Sequence, residues 1–242
     1  MRTRSRFAQF IVIMLKTILK LRRNLFELVG SEKYSRPSLF DIDKKLEPYL
    51  TKTNGFFIEV GANDGYSQSN TYYLERFRGW RGILIEGVPE LYNSCIRERP
   101  NSQVFNCALV ADDYSESFVT MKYANLMSIV KGAHKSEDAD ENHVQKGVAV
   151  QKNVVPYEIK VPARTLTSIL DECQVKEIDF FSLDVEGFEL NVLKGLDFDK
   201  YRPKYMLIEA RFRQEIEDYI SNLYSVEAQL SVHDFLYKSK DI

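Results

Sequence analysis

Asp184 and Glu186 stand two residues apart, directly after the apolar run 178–183 (IDFFSL). In an extended segment, residues i and i+2 share one face, so both carboxylates would point the same way at the carboxyl end of a buried strand. Two acids held this close are costly unless paired or used. One can act as a general base, or both can hold a divalent cation. The structural alternative is that they cap and complement the dipole of a helix over 188–196. Glu209 closes another apolar run, 205–208 (YMLI), and is a candidate third carboxylate.

A second group lies in FFIEVGANDGYSQSNTYYLE, residues 56–75. The strand ends at Glu59 and Val60, and Gly61, Ala62, Asn63, Asp64 and Gly65 make a tight loop. Ser67, Ser69 or Asn70 can then cap a helix over 66–78. Glycines let backbone approach a ligand closely, and a helix start offers free N–H groups. The spacing is neither GxGxxG nor GxxxxGK[ST], so the two common phosphate-cradling loops are absent. Glu59 would repel a pyrophosphate but could accept hydrogen bonds from an ammonium group or a hydroxyl. Glu86 ends the next run, GILIEG, 21 residues after Gly65. An acid there is placed to accept both hydroxyls of a ribose. Together these features point to a nucleoside-bearing cofactor at the carboxyl ends of the first two strands.

The elements that must position these residues alternate. Apolar runs at 56–60, 83–85, 103–110, 178–183 and 205–208 are separated by amphipathic stretches at 66–78, 88–98, 164–176 and 188–196. Such alternation predicts an α/β fold with a mainly parallel sheet and helices on both faces. The tail 223–239 reads as two more strands in a closing hairpin. Region 111–160, with DDYSES and KSEDADENH, is expected to be an excursion with a strand at 154–161 and to form a mobile cover over the site. His134 and His143 fall in this cover, and His233 falls in the terminal strands. Tyr66, Tyr72 and Tyr73 follow the cofactor loop, where one could line a pocket or all could pack. Trp80, in the GWRG turn, is expected against the sheet edge. Arg164 is open to an acidic substrate group or a structural ion pair.

Composition bounds the class. With 242 residues, 44% apolar and 28% charged, the chain is expected to be one soluble globular domain. Three cysteines without a CxxC pair fit a reduced, cytoplasmic compartment rather than a disulfide or zinc scaffold. The charge is uneven. Residues 1–26 carry seven cations and no acid, whereas the remainder carries 26 basic and 35 acidic residues. An acidic body argues against nucleic acid as a partner. Residues 1–37 are a basic amphipathic helix, predicted over 7–29, and a polar linker; residues 38–242 are the body. For the helix, a secretory signal is disfavoured by Lys16 and the lack of a cleavage site. A helix lying on the inner face of an anionic membrane through residues 1–30, and a helix packing on its own domain or on a second subunit, stay open.

The segments FIEVGANDGYSQSNT, GWRGILIEGVPELY, VFNCAL, VPARTLTSIL, IDFFSLDVEGFELNVLKGLDF and RPKYMLIEA, in this order over roughly 38–240, resemble the FkbM family of S-adenosylmethionine-dependent methyltransferases. The resemblance implies a Rossmann-like class I methyltransferase fold with seven strands. It also implies methyl transfer, commonly to a hydroxyl oxygen on a sugar, glycan or natural-product acceptor. Carried over, Glu59, Gly61, Asn63 and Gly65 resemble the first cofactor loop, and Asn70 the asparagine at the following helix start. Glu86 resembles the ribose-binding acid, and Asn106 and Ala108 match the motif near the adenine. Asp184 and Glu186 match the DVEG motif at the reaction centre, with Glu209 as support. Where the family often has IEP, this chain has Gly87 after Glu86, with Pro89 two residues later. No residue is assigned to a metal, although a divalent cation stays open as a second cofactor. A nicotinamide-dependent oxidoreductase and a non-catalytic binding or membrane-associated domain of the same fold are the other readings, and a homo-oligomer stays open.

Overall fold

The computed structural model describes residues 2–124, 127–150 and 155–240, with side chains except those of 2–13, 16 and 150. Helix α1 (Arg2–Leu28) is followed by a 3-10 turn at Leu39–Asp41 and the short α2 (Ile42–Lys45). Then come β1 (Phe56–Val60), α3 (Tyr72–Arg78), β2 (Arg81–Ile85), α4 (Pro89–Glu98), β3 (Gln103–Phe105) and β4 (Ala108–Leu109). The middle of the chain forms β5 (Phe118–Tyr123), β6 (Ile129–Val130), α5 (Glu137–Val150), β7 (Tyr157–Arg164) and α6 (Leu166–Glu172). The chain continues through β8 (Phe180–Leu183), α7 (Glu189–Lys194), β9 (Tyr205–Glu209), α8 (Arg213–Ile220), β10 (Tyr224–Gln229) and β11 (Asp234–Ser239).

The main sheet has seven strands in the order β10-β11-β9-β8-β1-β2-β3. It is mixed rather than purely parallel: β11 runs antiparallel to both β9 and β10, and the other pairings are parallel. A short connection can join antiparallel neighbours, so the terminal hairpin is where the reversal falls. Successive residues of each central strand enter opposite cores, as strand geometry requires. Phe57, Leu84, Phe180 and Leu207 meet Ile42, Leu46, Leu74 and Trp80 on one face. Ile58, Ile83, Phe181 and Met206 meet α6, α7 and α8 on the other. Burial on both faces is why these strands read as unbroken apolar runs.

Region 111–160 departs from expectation. It builds most of a second sheet, β4-β7-β5-β6, together with α5. The expected strand 154–161 corresponds to β7, which begins at Tyr157; Val154 lies outside the described residues. Trp80 also departs. It lies inside the core, its Nε1 donating to the Lys52 carbonyl at 3.0 Å, and a side chain at Gly55 would strike the indole.

Helix α3 starts at Tyr72 rather than 66 because residues 65–71 wrap a buried acid. The Glu59 carboxylate accepts from Ser69 Oγ at 2.8 Å, Asn70 N at 2.9 Å, Thr71 Oγ1 at 2.6 Å and Arg99 Nη1 at 3.2 Å. Among the three candidate caps, Ser69 accepts from the Tyr72 N–H at 3.0 Å. Arg99, just past α4, also donates to Glu75 at 2.8 Å, to the Gly65 carbonyl at 3.3 Å and to Thr71 Oγ1 at 2.9 Å. Burial pulls the guanidinium toward neutrality, but the Glu75 and Glu59 charges outweigh it and hold its pKa up. Gly65 is required here: its φ is +83°, and a Cβ would stand 3.0 Å from the Arg99 side chain and 3.1 Å from Cys95.

The three tyrosines after the loop face the arm. The Arg23 guanidinium lies 3.8 Å from the Tyr66 ring centroid and 5.0 Å from that of Tyr72. It is paired with Glu98, which also receives Lys20 at 2.6 Å. Glu27 accepts from Tyr72 Oη at 2.9 Å, Arg76 Nε at 2.6 Å and Ser35 Oγ at 2.7 Å. Arg36 covers Tyr73, its guanidinium 3.6 Å from the ring centroid. Helix α1 therefore meets its domain through its polar stripe.

Removing one partner of a buried ion cluster leaves the others uncompensated. Arg99→Leu is expected to lower unfolding free energy by roughly 3–5 kcal/mol, measured by urea denaturation. A loss below about 1 kcal/mol, the range of an exposed pair, would refute the central role given to this cluster.

Candidate active site

A cavity of about 980 Å³, counting its open mouth, lies at the carboxyl ends of β1, β2 and β8. Strand order reverses between β1 and β8, and ligands of open α/β sheets bind at such switch points.

The floor is set by Gly61. Its φ is +82°, and a Cβ would lie 2.0 Å from the Asp184 carbonyl oxygen, so the turns after β1 and β8 can touch only through glycine. The Gly61 and Ala62 N–H groups both donate to the Ile85 carbonyl at 3.1 Å, which locks this turn onto β2. Asn63 adopts φ +51° and its N–H donates to Glu86 Oε2 at 2.8 Å. Glu86 Oε1 accepts from Val88 N at 2.8 Å. Burial raises the Glu86 pKa to about 7, with these backbone donors opposing. Each carboxylate oxygen has a second lone pair, so Glu86 retains acceptor capacity toward the cavity.

The remaining sequence candidates divide. Glu59, Gly61, Ala62, Asn63, Asn70, Glu86 and Ala108 line the cavity. Glu59 does so with four protein donors already on its carboxylate. Asp64 and Gly65 are not in the lining. Asp64 instead closes the turn, accepting from Tyr66 N at 3.0 Å and Ser67 N at 2.7 Å. Asn106 also stands behind the wall, donating to the Glu86 and Gly87 carbonyls at 2.8 Å and so holding the acid-bearing turn. Asn70 donates to Ser182 Oγ at 3.1 Å and accepts from Ser38, which joins the loop to β8 and the linker. Gly87 departs from the family pattern for a visible reason. Met121 Sδ would lie 2.5 Å from a Cβ there, so its thioether fills the space.

Across the cavity, oxygens of Asp184, Glu186 and Glu209 come within 4.8 Å of one another. Asp184 opens into the cavity and Glu186 lines it. Arg211, which the sequence reading missed, pairs with Glu186 and reaches Glu209 at 3.2 Å. One guanidinium cannot neutralise three carboxylates. Burial, then the Glu209 and Glu186 charges, raise the Asp184 pKa well above its ordinary value. Burial and Glu209 raise that of Glu186 to about 8, against Arg211. Glu189 was missed too. It is fully buried and holds the DVEG turn by accepting from Gly187 N at 2.8 Å and Val185 N at 3.2 Å.

The region expected to cover the site does border it: Met121, Ser128 and Val130 line the cavity. His143 on α5 faces Glu186, Nε2 to Oε2 3.4 Å, and lies tilted against His134 with centroids 4.6 Å apart. His134 in turn meets Asp140 at 3.3 Å. Burial lowers the His143 pKa to about 4, with Arg211 and His134 adding to the shift. A ring this hard to protonate is a weak base, which suits it to a wall rather than to proton transfer. His233 belongs to the terminal hairpin, and Arg164 pairs with Glu172 at 2.8 Å.

Comparison with known proteins agrees with this geometry at the level of family. Residues 59–237 match the model of the methyltransferase FkbM domain. No curated protein matches the chain. Among solved structures, a TehB-like SAM-dependent methyltransferase from Corynebacterium glutamicum aligns at 10% identity over 91% of this chain and 96% of that one, with a TM-score of 0.39. A SAM-dependent methyltransferase from Aquifex aeolicus aligns at 13% identity over 85% and 92%, with a TM-score of 0.40. Aeropyrum pernix fibrillarin, in complex with S-adenosyl-L-methionine, aligns at 11% identity over 85% and 76%, with a TM-score of 0.42. Likeness of this degree places no residue of the site. The family match covers well over half the chain, from the loop acid Glu59 to the last strand, and this chain belongs to the FkbM family of methyltransferases.

Proposed function

We propose that the protein transfers a methyl group from S-adenosylmethionine to a hydroxyl oxygen of a sugar, glycan or polyketide-type acceptor. One observation carries the reading: Glu86 and the Asp184 carboxylate open into the same cavity, which Gly61 keeps free of a side chain. The residues fit the cofactor. Glu86 has acceptor capacity for a ribose, and Gly61 and Ala62 leave a smooth backbone floor. The acidic cluster favours a positively charged sulfonium group nearby.

When bound, S-adenosylmethionine supplies an already activated methyl group. What this chain must add is alignment and a place for the acceptor's proton. Asp184 is the base, because it is the carboxylate most open to the cavity and its raised pKa strengthens it as a proton acceptor. Glu186 and Glu209 keep that pKa high, while Arg211 limits the charge they accumulate. The 4.8 Å spacing of the three acids would also admit a divalent cation. Arg211 already places positive charge on two of them, so turnover is expected to survive chelation by EDTA. Loss of turnover restored by magnesium would favour the cation.

Two variants test the assignment, read by S-adenosylhomocysteine release across a panel of sugar, glycan and polyketide-type alcohols and by calorimetric titration of the cofactor. Asp184→Asn is expected to abolish turnover while cofactor affinity stays within about tenfold, roughly 1.4 kcal/mol. Collapse of cofactor binding would make Asp184 a cofactor ligand instead. For Glu86 the sign follows from burial. The folded pocket holds its proton up to about pH 7, and the ionised form is the better acceptor of ribose hydroxyls. Affinity should therefore rise as pH increases through about 7, and this slope should vanish in Glu86→Gln. An equal slope in the variant would remove Glu86 from the ribose site.

A further inference from the structure

Helix α1 is amphipathic in an unusual sense: its polar stripe faces the protein. Lys20, Arg23 and Glu27 are consumed by Glu98, Tyr72 and Arg76, and Arg23 is only 4% exposed. The opposite face carries Met14, Leu15, Ile18, Leu21, Leu25 and Leu28, each between 44% and 80% exposed. At 100° per residue these positions, with Val29, span roughly 140° of the helix. Such a face on a soluble domain marks an interaction site.

We propose that this face lies flat on an anionic lipid bilayer. Charge selects the occupant. The first 26 residues carry seven cations and no acid; Lys20 and Arg23 are spent on Glu98, which leaves Arg2, Arg4, Arg6, Lys16 and Arg22 to set the charge of the arm, whereas the rest of the chain is net acidic. A basic helix with a wide apolar face is the kind that settles at the headgroup boundary, and juxtaposed Lys and Arg side chains add attraction to anionic lipid. Insertion across the bilayer is not the alternative, since no helix among the described residues is long and apolar enough to cross a membrane.

A second copy of the chain is the rival occupant, because residues 14, 18, 21, 25 and 28 follow a heptad seam. Paired helices of that kind are matched by opposite charges flanking the seam. Here the flanks hold Leu15, Arg22 and Val29 on one side and Thr17 and Asn24 on the other, with no acid among them. Pairing would also bring two strongly basic arms together. The apolar width and the acid-free flanks fit lipid better.

The experiment is co-sedimentation of the full chain with vesicles of phosphatidylcholine alone or mixed with phosphatidylglycerol. Binding is expected to the mixed vesicles only, to weaken as salt is raised, and to fall at least about tenfold in Ile18→Ser/Leu21→Ser/Leu25→Ser. These side chains are exposed, so the triple variant should keep its circular dichroism spectrum and cofactor affinity, and the outcome is independent of the proposed reaction. No binding to mixed vesicles, equal binding to phosphatidylcholine alone, or binding unchanged in the triple variant would each overturn the proposal. A concentration-dependent dimer dissolved by the triple variant, without vesicle binding, would assign the face to a second copy.

Discussion

The buried contact between Arg99 and Glu59 fixes the geometry on which the site depends. One guanidinium at the end of α4 reaches the acid of β1, the carbonyl of Gly65, the hydroxyls of Ser69 and Thr71, and the acid of α3. Desolvating such an ion is expensive, and the cost is offset only when its donors are met by charged or polar partners at good distance. That requirement dictates the path of residues 65–71. It delays α3, imposes glycine at 65, and presents Asn70 to Ser182 on β8. The loop side of the cavity is thus held from behind by charge as well as by apolar packing.

The central strands and the two-faced sheet were legible because burial on both faces leaves apolar runs that few other structures produce. The loop Gly61, Ala62, Asn63, Asp64, Gly65 and the strand-end acids Glu86 and Asp184 were legible because a special backbone and a carboxylate at the end of an apolar run both leave local marks. What a residue touches was not legible. Glu59 reads as a ligand acid, yet its carboxylate meets four protein donors. Arg99 sits in the charged string RERP, where nothing distinguishes it from a surface arginine. Arg211 and Glu189 act through contacts set by the turns after β9 and β8, which no spacing rule encodes. The second sheet was missed because its edge strands β4 and β6 are only two residues long, and because α5 opens with Glu137, Asp138 and Asp140.

The acidic centre stores an electrostatic conflict. Three carboxylates share one guanidinium, so the protons of Asp184 and Glu186 are held more tightly than those of free acids. Glu186 accepts a left-handed backbone at φ +56° to take its place there, a conformation that costs about 1–3 kcal/mol for a residue with a side chain. Glu189 stabilises the turn that imposes it. A fold seeking stability alone would separate these charges. Holding them beside the cavity leaves Asp184 and Glu186 stronger proton acceptors than free carboxylates.

The two walls of the cavity come from different kinds of sequence. One side is built from strand ends whose glycines and acids are constrained by backbone contact: Gly61 against the Asp184 carbonyl, and Asn63 and Val88 against Glu86. The facing wall is built by β5, β6 and the residue before β6, which bring Met121, Val130 and Ser128 to the cavity. The junction between them is Gly87. A Cβ there would collide with the Met121 thioether, so the missing side chain lets the second sheet close over the end of β2. Methionine is unbranched and adapts its shape to fill irregular gaps.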